Sequence, residues 1–147
     1  MAGGAAVRWY LTVRSARSWR VDTRRESEPV FDDYRGLRVW QVAMDLMIES
    51  YRLADLLPTR ERFGLVSQLR RAATSVPSNI AEGNGRVHRG EYLHHLSIAR
   101  GSLNELRTLV TVAERLRYIP ASELTQFAEL CDFVSRMLTC LRRSLRP

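Results

Sequence analysis

The chain has 147 residues, enough for one domain with a real core, and its 45% hydrophobic and 27% charged content is ordinary for a globular protein. No apolar run approaches bilayer length, which excludes a membrane-spanning helix. The formal net charge is +7, and all 23 side chains in the Lys and Arg count are Arg, which admits nucleic acid as a partner. Arg presents a planar fork of donors suited to phosphate and carboxylate, although genomic composition bias produces the same usage.

Residues 1–30, MAGGAAVRWYLTVRSARSWRVDTRRESEPV, show little periodicity and carry no acid before Asp22. Arg8 and Arg14 interrupt the only apolar stretch, so it reads poorly as a signal peptide. The Arg-rich, acid-poor start superficially resembles an organellar transit peptide. The expectation is a disordered basic arm or an over-extended start, with the folded domain over 31–147.

From Tyr34 the pattern becomes helical. Leu37, Trp40, Met44, Met47, Tyr51 and Ala54 recur at helical spacing and predict a first helix ended by Pro58. Thr59 is a candidate N-cap for a second helix starting at Arg60, with Glu61 near the positive end of its dipole. Leu65, Leu69, Ala72, Val76 and Ile80 form its apolar stripe, which crosses Pro77 without a phase break. Proline removes one donor and crowds the carbonyl of Ala73, which kinks a helix without ending it. Thr74, Ser75, Ser78 and Asn79 can re-satisfy local backbone groups. The reading is one helix kinked at Pro77 and closed by Gly83 as a left-handed cap.

After the loop GNGRVHRG, a third helix carries a heptad seam at Tyr92, Leu96, Ala99, Leu103, Leu106, Val110 and Ala113. Gly101 and Ser102 are small residues within it that would admit a close neighbour. A fourth helix repeats the rhythm at Leu124, Phe127, Cys131, Val134, Leu138, Leu141 and Leu145. Short connections between long helices predict an all-α, antiparallel up-down four-helix bundle. Cys131 and Cys140, nine residues apart on one helix, are roughly 13 Å apart along the axis and cannot bridge each other. No Cys/His cluster has zinc-site spacing, no cofactor is expected, and a reducing cytoplasm is the expected setting.

Two sets of residues are candidates for function. Gln68, Arg71, Ser75, Asn79 and Glu82 line one face of the second helix beside Ala72, Ala73 and Ala81. Uncharged amides and hydroxyls with only two charges suit a subunit contact or a polar seam better than bare solvent. Arg71 and Glu82 are three turns apart, so each needs another partner, which a neighbouring chain could supply. The second set is basic: Arg60, Arg62, Arg70 and Arg71 on the second helix, with Arg86 and Arg89 in the following loop. These are the candidate nucleic-acid contacts. Arg136, Arg142, Arg143 and Arg146 near the C-terminus have a simpler account, because helix C-termini favour cations.

The runs Leu37-Arg38-Val39-Trp40, Glu61-Arg62-Phe63-Gly64-Leu65, Gln68-Leu69-Arg70-Arg71-Ala72 and Ser75-Val76-Pro77-Ser78-Asn79-Ile80-Ala81-Glu82-Gly83 carry a resemblance. They resemble the four-helix-bundle family of 23S ribosomal RNA intervening-sequence proteins, and Ile98 to Ser102, Glu105-Leu106 and Tyr118-Ile119 fit the same pattern. The resemblance covers about Tyr34 to the C-terminus. It implies a bacterial bundle protein that forms ring-like homo-oligomers, specifically pentamers. It also implies kinship with accessory proteins of diversity-generating retroelements, which act with a reverse transcriptase and bind RNA or DNA. No catalytic residues carry over, and residues 1–30 have no counterpart, as expected of a dispensable extension.

Three functions compete at this level. One is a non-enzymatic nucleic-acid-binding or scaffolding oligomer. The second is an RNase resembling the helical HEPN nucleases, since Arg89 to His94 fits their R-x(4–6)-H pattern. The third is an adaptor that binds only protein. The short pattern occurs readily by chance in so Arg-rich a chain, and no phosphate loop, nucleophile elbow or paired-carboxylate site is evident, which favours the first.

Overall fold

The computed structural model describes residues 33–145. They form four helices, α1 Arg38–Ala54, α2 Leu65–Asn84, α3 Arg89–Arg115 and α4 Thr125–Ser144. Single 3-10 turns lie at Tyr34–Gly36, Thr59–Glu61 and Ala121–Glu123, and no strand occurs among the described residues. The extension expected over residues 1–30 lies outside them, as does Arg146. No helix among the described residues is long and apolar enough to cross a membrane.

The heptad rows of the last two long helices become the core. α3 buries Leu96, Ala99, Leu103, Leu106, Val110 and Ala113, and α4 buries Phe127, Leu130, Cys131, Val134 and Leu138. α2 contributes Leu69, Ala72, Val76 and Ile80 as expected, with Leu65 only half-buried. The first helix differs. Its buried row is Val39, Val42, Ala43, Leu46, Leu53 and Ala54, whereas Trp40 and Met47 pack at the core's margin and Tyr51 is exposed. Apolar residues cover more than half of α1, so side-chain size alone picks the wrong row. The compact aliphatic row lets the neighbouring helices approach more closely, and it takes the centre.

The start of α2 also differs from expectation. Thr59 caps nothing; Thr59–Glu61 is a 3-10 turn, and the α-helix begins only at Leu65. The cap comes from Glu61, whose Oε2 accepts from the Leu65 N–H at 3.3 Å. That carboxylate supplies one of the acceptors a helix start otherwise lacks. Downstream, α2 runs uninterrupted through buried Pro77. Side chains bond the backbone on either side: Thr74 Oγ1 donates to the Arg70 carbonyl at 2.8 Å, and Asn79 Nδ2 to the Ser75 carbonyl at 2.9 Å.

Gly83 is not a left-handed cap. It lies inside α2, buried, and no glycine among the described residues has positive φ. A Cβ placed on it would come within 2.7 Å of Tyr92 Cδ2 and 2.9 Å of His95 Cβ. Gly83 is therefore a point of close approach between α2 and α3. Gly101, expected to serve that purpose, faces open space. Its neighbour Ser102 is the small residue that meets α2, buried and bonded to Ser75.

At the end of α1 a charged cluster ties this helix to the turn before α4. Glu49 is 5% exposed and receives two bonds from Arg52, at 2.9 Å from Nε and 2.7 Å from Nη2. Arg52 Nη1 also reaches Glu123 Oε2 at 2.7 Å, in the turn before α4. These two carboxylates hold the guanidinium pKa above its ordinary value, chiefly through the hydrogen bond to Glu49. A carboxylate this buried is tolerable only when so paired.

Candidate nucleic-acid interface

The polar stripe of α2 lies against α3, and three of its five members find partners within the same chain. Arg71 reaches Glu105 at 3.4 Å, Ser75 Oγ meets Ser102 Oγ at 2.8 Å, and Asn79 Oδ1 meets His95 Nδ1 at 3.1 Å. Glu82 Oε2 lies 3.7 Å from the same His95 nitrogen. Gln68 is exposed. The partner expected on a neighbouring chain for Arg71 is thus supplied by α3, whereas Glu82 lies beside His95 without a hydrogen bond among the described residues.

His95 is the node of this seam. Arg86 Nε donates to its Nε2 at 3.2 Å, so Nε2 must be the acceptor. Nδ1 then carries the proton and donates to Asn79 Oδ1, which fixes the neutral tautomer and the ring plane. Asn79 in turn donates to the Ser75 carbonyl and, at 3.1 Å, to Ser75 Oγ. Sequence spacing found the α2 half of this chain and missed His95, because a lone His beside a second His carries no signal of which one turns inward.

The basic candidates fall into two groups. Arg70 is committed: it bonds Asp55 at 2.6 Å and lies over the Tyr51 ring at 5.1 Å. Arg71 and Arg86 are engaged as described, Arg71 with 75% of its side chain exposed. Arg60 donates to the Tyr118 hydroxyl at 3.2 Å and lies over that ring at 5.3 Å. Arg62 lies over Phe63 at 5.5 Å, and Arg89, the first residue of α3, is exposed. Neither Arg62 nor Arg89 forms a salt bridge among the described residues. The same is true of exposed Arg100, Arg115, Arg117 and Arg143.

Arg89 and His94, the pair of the RNase pattern, both sit on α3 and are exposed. Five residues turn a helix by roughly 500°, which leaves the two about 140° apart around it. Within one chain the helix does not bring them together. A groove of about 290 Å³ lies between α3 and α4, lined by Val110, Phe127 and Cys131 among others, with Arg107 and Asp132 paired at 2.7 Å on its wall. Burial pushes the Cys131 thiol up to about 11, so it is protonated and unreactive at neutral pH. Cys140 lies on the same helix, exposed, and both cysteines are free.

Among the described residues the geometry defines an all-helical bundle whose second and third helices are joined by a polar seam and whose surface carries arginines without acidic partners there. The chain belongs to the 23S rRNA-intervening sequence protein family, whose model matches residues 35–140. A comparison with curated proteins gives no match.

Proposed function

We propose that this protein is a non-enzymatic, homo-oligomeric accessory protein that binds RNA or DNA through exposed arginines, or scaffolds its assembly. The observation that carries this reading is the presence of arginines without a salt bridge among the described residues, Arg62, Arg89, Arg100, Arg115, Arg117 and Arg143 among them, on a chain of net charge +7. Such guanidiniums keep their donors available for phosphate. Family membership supports an RNA-related role. Arg62 and Arg89 become the principal contacts of the expected set, with Arg60 held in place by Tyr118 and Arg70 withdrawn into its bond with Asp55.

The bundle in this reading is antiparallel and up-down, with α2 kinked at Pro77. Contacts that climb α2 while descending α3, from Arg71–Glu105 to Asn79–His95, support the first part. Ser75 and Asn79 of the polar stripe are occupied within the chain, so apolar surface outside it is the proposed subunit contact. Ile48 at 62% exposure on α1, with Ile98 and Val112 on α3, supplies apolar surface for a ring-like oligomer, a pentamer in this proposal. A cytoplasmic setting and a reverse transcriptase as protein partner complete the proposal.

Light scattering after size-exclusion chromatography tests the assembly, and incubation with labelled RNA tests the chemistry. An oligomer that leaves RNA intact is expected, with His94→Ala indistinguishable from the parent. A monomer at micromolar concentration contradicts the ring. Cleavage that disappears in His94→Ala contradicts the non-enzymatic reading and replaces it with the RNase.

A further inference from the structure

Phe63 stands between the Thr59–Glu61 turn and α2 with 89% of its surface exposed, more than any other large apolar side chain described. The guanidinium of Arg62 covers one side of its ring. The rest of the ring is open.

Three further features lie at this corner. Arg60 rests on the Tyr118 ring, and the Tyr118 hydroxyl donates to Glu61 Oε1 at 3.2 Å, which docks the end of α3 beside the turn. Arg117, next to Tyr118, has φ 59, the only positive φ of a non-glycine residue among those described. Its N–H bonds the Glu114 carbonyl at 2.8 Å, and the Tyr118 N–H reaches back to the Ala113 carbonyl at 2.9 Å. That is the helix-closing motif whose left-handed position usually belongs to glycine. An arginine there keeps a charged side chain at some backbone strain, which is a pointer to use rather than to stability. The nearby acids are mostly engaged: Glu61 by Tyr118 and the Leu65 N–H, Glu123 by Arg52, and Asp55 by Arg70. Glu114 is the remaining carboxylate nearby in the chain.

We propose that the open face of Phe63 is a stacking platform for an unpaired base of a single-stranded nucleic acid, with Arg60, Arg62 and Arg117 holding the flanking phosphates. This rests on the nucleic-acid reading above and adds the strandedness of the ligand. An aromatic face beside cations that track a backbone is how single strands are held without sequence preference. A duplex keeps its bases stacked and cannot offer one without unstacking. A second copy of the chain docked here would have to desolvate three guanidiniums.

Fluorescence anisotropy with a labelled oligouridylate and an RNA duplex of equal length provides the test. Phe63→Leu is expected to weaken single-strand binding at least about fivefold, the low end of ~1–3 kcal/mol per stacked base, and to leave duplex binding unchanged. Phe63→Tyr should retain both. Arg117→Gly should weaken binding while holding or raising the melting temperature, because glycine relaxes the left-handed backbone. Equal loss on both ligands, or no loss, overturns the stacking platform while nucleic-acid binding stands. Dissociation of the oligomer by Phe63→Leu, seen by light scattering, overturns it in favour of a contact between copies. If the parent protein binds neither ligand, the proposed function falls and this inference falls with it.

Discussion

Arg52→Leu is expected to destabilise the fold by about 2–4 kcal/mol, because it strands the Glu49 carboxylate inside the bundle. The loss has two parts. Glu49 forfeits both of its charge-assisted bonds, and the link from α1 to Glu123 before α4 disappears. For a domain of this size the change corresponds to a fall in melting temperature of roughly 8–17 °C at fixed protein concentration. Glu49→Leu in the same background should recover much of the loss, since a buried ion pair and a packed apolar pair of similar volume are close in free energy. Urea unfolding of the parent, the single variant and the double variant measures this. A loss under ~0.5 kcal/mol in the single variant, the scale of an exposed ion pair, would show that Glu49 is reached by solvent.

Gly83→Ala is expected to cost about 1–2 kcal/mol. Alanine gains up to ~1 kcal/mol of helix propensity but must push back Tyr92 and His95, and overpacking of this kind costs ~1–3 kcal/mol. The ring of Tyr92 can swing, whereas His95 Cβ moves only with the α3 backbone. Tyr92→Leu in the Gly83→Ala background should therefore recover part of the loss and not all. Gly101→Ala is the control. Nothing lies within 4 Å of its Cβ, so it should stabilise by roughly 0.5–1 kcal/mol. Thermal melts of the three variants decide the matter. A Gly83→Ala protein as stable as Gly101→Ala would mean that α2 and α3 do not cross where the seam places them.

These two residues also mark where the sequence was readable. The all-helical fold was legible, because apolar residues recur at unbroken spacings of three and four along α3 and α4. On α1 the apolar surface is too wide, and nothing in the residue types tells Leu46 from Met47 as the inward one. Passage of the helix through Pro77 was legible from the unbroken stripe on either side. Gly83 was misread because glycine near a helix end has two physical uses, a left-handed turn and a close approach, and only the position of Tyr92 distinguishes them. The candidate site was half legible. Ser75 and Asn79 declared themselves as polar residues at helical spacing beside small ones. Their partners Ser102 and His95 lie 27 and 16 residues away, beyond any local pattern. Arg70 looked as available as Arg62, since pairing with Asp55 depends on how α1 and α2 pack. Phe63 carried no signal, because exposure is a property of the fold.

In the proposed function, arginines without acidic partners hold nucleic acid and the committed ones do not. The slope of log affinity against log salt for duplex DNA separates the two sets, each phosphate neutralised contributing about 0.9. The parent protein should show a clear negative slope. Arg62→Gln and Arg89→Gln should each flatten it by about 0.9, and Arg70→Gln should leave it unchanged, because Asp55 already holds that guanidinium. A parent slope near zero, or a slope that responds to Arg70→Gln and to neither of the others, would contradict the account.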